Sequence, residues 1–180
     1  MMKEMMDYLI GEAEAWVVHE HNHLWDTGKP LAQNDIIPLE KFFNSNTLDQ
    51  VRIVYVDQIE NPPFIKGLLD KGITLSLNFN QVTAITFINT VVIASPKLKQ
   101  EIWLPLLFHE CVHVVQYQLL GTRRFMELYI YGWLSQGMDY YKIPLEVDAA
   151  NLHKRFEAHP DNFFSAEREV MEQLKNHTYA

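Results

Sequence analysis

Hydrophobic and polar residues along the chain change their spacing from the first half to the second. After an amphipathic helical segment at residues 2–19, residues 51–56, 73–79 and 84–94 show the alternation or density of β-formers that is typical of strands, with a turn expected at Asn89-Thr90. Helical spacing dominates afterwards. Because strands precede helices and do not alternate with them, the pattern predicts an α+β fold, with a small antiparallel or mixed β-sheet in the N-terminal half packed on a mainly helical C-terminal half.

Breaks in this pattern predict loops and helix ends. Loops are expected at Gly28-Lys29-Pro30, Asn34-Asp35 and Asn61-Pro62-Pro63. Ser95-Pro96 is an N-cap and first-turn pair, followed by a short helix up to Trp103. The further helices expected are one that begins near Pro105 and ends at Gly121, and those over residues 122–136, 145–159 and 162–175.

The helix expected before Gly121 carries His109-Glu110-Cys111-Val112-His113, an HExxH motif. Residues four apart share one helical face, so the two imidazoles can bind one metal ion, and Glu110 can act as a base for the water that the metal activates. The alternative is a buried helix whose histidines only form hydrogen bonds, but burying two imidazoles and a carboxylate without a metal is costly. The motif therefore predicts a Zn²⁺ site and hydrolytic chemistry.

A catalytic zinc ion needs a third protein ligand, and Glu146 is the leading candidate. It lies in Ile143-Pro144-Leu145-Glu146-Val147-Asp148, where the proline fits a helix start. Asp148 is the rival. Positions two apart on a helix point to nearly opposite sides, so one acid can bind the metal while the other faces solvent or orients a ligand. His153 is a less favoured candidate for the third ligand. The alternative for Glu146 itself is that its charge only stabilises the first turn of a helix.

The run HECVHVVQYQLLG, followed by IPLEVDAA, resembles a compact bacterial family of gluzincin-type zinc metallopeptidases with the pattern HExxHxxQ and then PxEx(D/E)A. The similarity covers about residues 82–152. The resemblance implies that His109, His113 and Glu146 bind zinc and that Glu110 is the catalytic glutamate. Gln116 occupies the glutamine position of the family pattern.

The resemblance also implies how a substrate is held. In gluzincins an edge strand above the metal helix binds the extended substrate, so Thr90 to Ala94 is the expected substrate-binding strand. An ordinary core strand is the alternative for this run. Cys111 stands where the family commonly has an aliphatic residue, and its place in the motif turns it away from the metal, so it is expected to fill the core.

Hydrolysis also needs a group that stabilises developing negative charge. Tyr117 follows His113 by one turn, and Tyr140 and Tyr141 come just before Glu146, so each could supply a phenol. Tyrosines in such segments also serve as packing residues, and the sequence does not choose among the three.

Composition sets the outer bounds. A chain of 180 residues with 48% hydrophobic residues suits a single compact domain over residues 1–180. The formal net charge of −8 argues against nucleic acid as a partner, because phosphate binding needs a basic surface. The single cysteine excludes an intramolecular disulfide. No long apolar run and no signal peptide are seen, so we expect no membrane span and a cytoplasmic location, unless a signal-independent route exports the protein.

A second group of histidines lies in His19-Glu20-His21-Asn22-His23. The three imidazoles would share one side only in an extended segment, and a metal site there would need a further ligand. An exposed junction between helix and loop is therefore expected, with an adventitious or regulatory metal site as the alternative.

Three classes of function are compatible with these patterns. The first is a zinc-dependent metallopeptidase that acts on a peptide or protein. The second is a non-catalytic zinc-binding structural or interaction module, and the third is a toxin or effector protease domain. Glu110 favours an enzyme, because a purely structural zinc site does not require that carboxylate.

Overall fold

The computed structural model of the protein describes residues 2–70, 78–94 and 99–177. Its fold is mixed α+β, with a small mixed sheet formed in the N-terminal half and a helical C-terminal half, as the sequence predicts. The Ser95-Pro96 cap and most of the strand expected at residues 73–79 lie outside the described residues, while Phe79 begins a 3₁₀ turn.

The elements in chain order are as follows. The helices are α1 (Met2–Leu24), α2 (Gln33–Leu39), α3 (Ser45–Gln50), α4 (Pro63–Asp70), α5 (Gln100–Ser135), α6 (Pro144–Ala158) and α7 (Ala166–Leu174). The strands are β1 (Lys29–Pro30), β2 (Arg52–Tyr55), β3 (Ala84–Phe87) and β4 (Thr90–Ile93), and 3₁₀ turns cover Trp25–Thr27, Phe79–Gln81 and Tyr140–Lys142.

The described strands lie in the order β1-β2-β4-β3. Strand β4 runs parallel to β2 and antiparallel to β3, so it is paired on both sides. The expectation that Thr90 to Ala94 forms an edge strand is therefore wrong. The physical reason is that all four residues from Thr90 to Ile93 are buried, which is typical of an interior strand. The run is therefore the core strand that was the alternative. Among the described strands, β1 and β3 lie at the two edges of the sheet.

A two-residue turn, Ile88-Asn89, joins β3 to β4, one residue earlier than predicted. Ile88 has a φ of 62°, which is unusual for a β-branched residue. His21 lies beside this hairpin, with its Nδ1 atom 3.0 Å from Thr90 Oγ1. Helix α1 continues through the histidine group and ends at Leu24, one residue after it, close to the junction expected. His19 and His23 are exposed there and stack on each other one turn apart.

Helix α5 carries the HExxH motif and is broken at Gly121, whose φ of 71° and ψ of 163° are not helical. This conformation is accessible essentially only to glycine, so the predicted helix end is confirmed. Pro105 lies inside α5 and does not begin a new helix. Cys111 is fully buried, and burial, followed by the charge of Glu110, raises the pKa of its thiol, as suits a core residue.

Helix α6 follows the second part of α5 closely. Pro144 occupies the first turn of α6, as predicted. Gly132 allows the close approach, because a Cβ atom at this position would lie 2.6 Å from Pro144 Cδ. Further along, Phe108 of α5 stacks on Phe156 of α6 with ring centroids 4.4 Å apart. These contacts fix α6 against the helix that carries the motif.

Several short elements differ from the prediction. Asn34-Asp35 lies in α2 and not in a loop, and Lys29-Pro30 forms the short strand β1. The loop expected at Asn61-Pro62-Pro63 ends at Pro63, where α4 begins. Helix α7 begins at Ala166, capped by the Ser165 side chain, and is shorter than expected. None of the helices within the described ranges has the combined length and apolarity to cross a membrane.

Candidate metal centre

Three side chains from α5 and α6 converge at one point. His109 Nε2 lies 3.1 Å from His113 Nε2, and Glu146 Oε2 lies 3.3 Å from each of these nitrogens. The two histidines come from successive turns of α5, and Glu146 comes from the first turn of α6. Within the described residues they form a group that could hold a metal ion.

The donor atoms have the spacing that a tetrahedral metal site needs. Bonds of about 2.0–2.1 Å place neighbouring ligand atoms of a tetrahedron about 3.3–3.4 Å apart. The observed distances of 3.1, 3.3 and 3.3 Å form nearly that triangle, without any movement of the helices. Two imidazoles and one carboxylate are also donors that bind transition metals. The residues present therefore fit a metal ion with one position left for another molecule.

Gln116 holds His113 in the orientation that metal binding requires. Its Oε1 atom lies 2.8 Å from His113 Nδ1, and its Nε2 atom donates to the Leu145 carbonyl oxygen at 3.0 Å. An amide oxygen can only accept, so Nδ1 carries the proton and Nε2 is free to bind a metal in the neutral ring. The fully buried Gln116 thereby connects a ligand of α5 to the residue beside the ligand of α6.

Tyr129 holds the third ligand. Its hydroxyl donates to Glu146 Oε1 at 2.8 Å, which leaves Oε2 directed at the two histidines. Glu146 is only 7% exposed. Burial raises its pKa, but the charges and hydrogen bonds of His113 and His109 outweigh burial and hold the pKa well below its usual range.

His113 shows the reciprocal effect. Burial lowers its pKa, whereas the charge and hydrogen bond of Glu146, with smaller contributions from Glu110 and Gln116, raise it to about 9. Without a metal ion, the proton on His113 thus balances the buried charge of Glu146. A bound cation would take over this role, and the imidazole would lose its proton on binding.

Glu110 is placed beside the three ligands but is held by another partner. Its side chain is 4% exposed, and its Oε2 atom accepts a hydrogen bond of 2.7 Å from Thr86 Oγ1 on the edge strand β3. Glu110 does not belong to the group of candidate ligands within the described residues. The hydrogen bond from Thr86 therefore holds the carboxylate in place beside the centre.

The two other candidate ligands lie outside the cluster. Asp148 Oδ2 is 2.5 Å from His177 Nε2, near the end of the described chain. This contact turns the carboxylate away, as expected for a residue two positions from Glu146. His153 lies at the rim, with its ring centroid 5.8 Å from that of His109. Neither belongs to the ligand group.

The three candidate tyrosines differ sharply in position. Tyr117 is buried and stacks on Phe125 with ring centroids 3.7 Å apart, whereas Tyr141 is 85% exposed. Tyr140 borders the centre itself. Burial, followed by the charges of Glu146 and Glu110, raises the pKa of Tyr140, so its phenol stays protonated. Tyr140 is therefore the best placed of the three to donate to a developing negative charge.

Two cavities meet at the metal centre, and we call them the inner and outer cavities. The inner cavity has a volume of about 90 Å³ and reaches Glu110, His113 and Glu146 from the side of α1 and β3. The outer cavity, of about 500 Å³, lies on the other side and reaches His109, Glu146 and the exposed face of α6 around His153. Tyr140 lines both cavities.

Sequence reasoning missed two residues that shape this site, Thr86 and Tyr129. Each donates a hydrogen bond to a carboxylate of the centre from a different element of the fold. Thr86 carries no signal, because a buried threonine is ordinary in a strand. Tyr129 carries one weak sequence signal of burial. It follows Phe125 by one helical turn, so the two aromatic side chains share a helical face.

Comparison of the chain with known protein families, with curated proteins and with solved structures finds no match.

Proposed function

We propose that the protein is a zinc-dependent metallopeptidase that hydrolyses peptide bonds. The observation that supports this most directly is the combination of a triangle of metal donors with a neighbouring carboxylate that is not one of them. Two histidines and a glutamate form a common ligand set of catalytic zinc in hydrolases, with the fourth position open. The family resemblance of the HExxH and Pro-Leu-Glu segments points the same way.

A bound zinc ion would lower the pKa of a coordinated water and polarise the scissile carbonyl. Glu110 accepts the proton of the attacking water and passes it to the leaving amine, as its position beside the ligands allows. Thr86 holds the Glu110 carboxylate in place through the hydrogen bond to Oε2. The Tyr140 phenol, kept protonated by its surroundings, is the proposed donor to the oxyanion.

The second candidate is a metal-binding module without catalysis, in which the ion ties α5 to α6. The burial of Glu110 speaks against it. A second carboxylate placed beside Glu146 in a nearly dry site is costly, and a structural site gains nothing from it. A toxin or effector protease would use the same centre, and differs only in its target.

The ligand and base assignments predict a specific pattern of metal content and activity. Wild-type protein is expected to contain one zinc ion, Glu146→Ala to lose it, and Glu110→Gln to keep it while hydrolysis falls by about 10²- to 10⁴-fold. Metal content is measured by elemental analysis after purification without an affinity tag. Hydrolysis is measured by mass spectrometry with a mixed peptide library and an unfolded protein as substrates.

Asp148→Asn is the matched control, because it removes the rival acid on the same helix and is expected to keep the metal. Metal loss in Asp148→Asn with retention in Glu146→Ala would contradict the ligand assignment. Full hydrolysis by Glu110→Gln would contradict the proposed base. Zinc binding with no hydrolysis of any substrate would favour the non-catalytic module.

A further inference from the structure

The inner cavity is apolar except where it meets the metal centre. Its far wall comes from α1 and includes Ala13, Trp16 and Val17. Phe79 and Phe87 pack edge-on against Trp16, with ring centroids 5.3 and 4.9 Å from it. Glu110, His113 and Glu146 lie at the opposite end. A group that enters this cavity would thus pass from polar donors into a hydrocarbon-lined space.

This geometry relates the cavity directly to the bond that would be cleaved. A scissile carbonyl must lie at the open position of the metal, next to Glu110. The inner cavity begins at the same residues, so the first side chain beside the carbonyl is the one that can reach it. The rest of an extended chain has room in the outer cavity, which begins at His109 and Glu146 on the other side.

We propose that the inner cavity binds an aliphatic side chain of the residue that flanks the scissile bond, so that the enzyme cleaves peptides next to medium-sized apolar residues. This inference rests on the proposed function and deepens it by naming the substrate class. The inference concerns the residue on one side of the bond, since the inner cavity reaches the centre from the side of α1.

The volume of the cavity and the charges beside it both limit which side chains can bind there. An apolar cavity of about 150 Å³ holds a benzene molecule, so a volume of about 90 Å³ suits leucine, methionine or valine better than an aromatic ring. A charged side chain in this cavity would lie against apolar walls and beside two buried carboxylates. An acidic group is therefore excluded both by desolvation and by repulsion from Glu110 and Glu146.

The test uses binding, so that it does not depend on turnover. The probes are the hydroxamates of glycine, leucine, phenylalanine and aspartate, whose common group binds zinc. Their affinities for zinc-loaded protein are measured by isothermal titration calorimetry. The leucine compound is expected to bind about 10- to 100-fold more tightly than the glycine compound, which is the effect of burying an isobutyl group. The aspartate compound is expected to bind no better than the glycine compound.

Two variants change the size of the cavity in opposite directions. Ala13→Leu fills it and is expected to abolish the preference for leucine over glycine. Phe79→Ala enlarges it and is expected to shift the preference toward the phenylalanine compound. Ala15→Leu is the matched control, because the same substitution on the exposed side of α1 leaves the cavity unchanged. Zinc content and affinity for the glycine compound show whether each variant is folded. If Ala13→Leu does not fold, the result for Phe79→Ala decides the question.

Equal affinity of wild-type protein for the leucine and glycine compounds would overturn the inference. So would a leucine preference that neither variant changes. Selective hydroxamate binding without hydrolysis of any peptide would refute the proposed function and leave the cavity assignment standing. Hydrolysis with no preference at either flanking position would do the reverse, and a protein that binds no zinc would overturn both.

Discussion

Gln116 shows how much of the centre depends on a residue that does not bind the metal. It is fully buried, accepts from His113 and donates to Leu145, so both ends of its amide are used. No apolar residue can replace these bonds. Loss of the amide would leave the His113 ring free to rotate and would remove the side-chain donor to the Leu145 carbonyl oxygen.

We therefore expect Gln116→Ala to weaken zinc binding by about 10- to 100-fold and to lower the free energy of unfolding of the metal-free protein by about 1–3 kcal/mol. Zinc affinity is measured by competition with a chromophoric chelator, and stability by urea denaturation. Gln118→Ala is the control, because this glutamine is exposed on the same helix. Equal zinc affinity of Gln116→Ala and wild type would show that His113 is positioned by other contacts.

At the residue scale, the sequence was most informative where helix geometry alone decides. His109, Glu110 and His113 follow from spacing on one helix, and the structure brings His109 and His113 together as expected. Glu146 was found because Pro144 marks a helix start nearby. Thr86 and its contact with Glu110 could not be found, because that contact depends on how the sheet packs on α5, which no local pattern encodes.

At the element scale, the position of α6 depends on one close approach to α5. Gly132 faces the Pro144 ring, and the ring cannot rotate away as a flexible side chain could. Glu146 follows Pro144 by two residues, so any displacement of the α6 start also displaces the third metal ligand. Packing between two helices is thus part of the metal centre.

Gly132→Ala is expected to push the start of α6 outward, to destabilise the protein by about 1–3 kcal/mol, and to weaken zinc binding. Gly11→Ala is the control in a helix with open space around the glycine, where we expect a small gain of about 0.5–1 kcal/mol. Thermal unfolding with and without zinc measures both effects. Unchanged zinc affinity in Gly132→Ala would show that α6 can shift without moving Glu146.

Elements with a clear sequence pattern were predicted better than elements without one. The strand at residues 51–56, the hairpin within residues 84–94 and helix α6 match the structure closely. Helices α2 and α3 are too short for helical periodicity to be recognised, since that signal needs a window of about 11–18 residues. The order of the strands could not be predicted from the sequence, because β4 pairs with β2, from which a long stretch of chain separates it.

At the scale of the whole molecule, the metal ion would act as a cross-link between α5 and α6. Ligands from two helices must be assembled before the ion can bind, so metal binding and the folded state stabilise each other. The closely spaced donors of Glu146, His109 and His113 also mean that little reorganisation is needed on binding.

Zinc in hundredfold excess over its dissociation constant is therefore expected to stabilise the protein by about 2.7 kcal/mol, which raises the unfolding temperature of a chain of this size by about 5–11 °C. Differential scanning calorimetry of chelator-treated and zinc-loaded protein measures the shift. His113→Ala, which removes one donor, is expected to show little or no shift. A full shift in His113→Ala would mean that zinc stabilises the protein from a different site.

Trp16 makes the inner cavity observable by fluorescence. It is one of four tryptophans in the chain, and its indole ring forms part of the cavity wall. Any molecule that enters would change the polarity around this ring and bring new groups into contact with it, and both effects change its fluorescence. The protein thus carries an intrinsic fluorophore at the place where occupancy would have to be detected, and a variant that retains only Trp16 would report ligand entry as a change in emission without any added label.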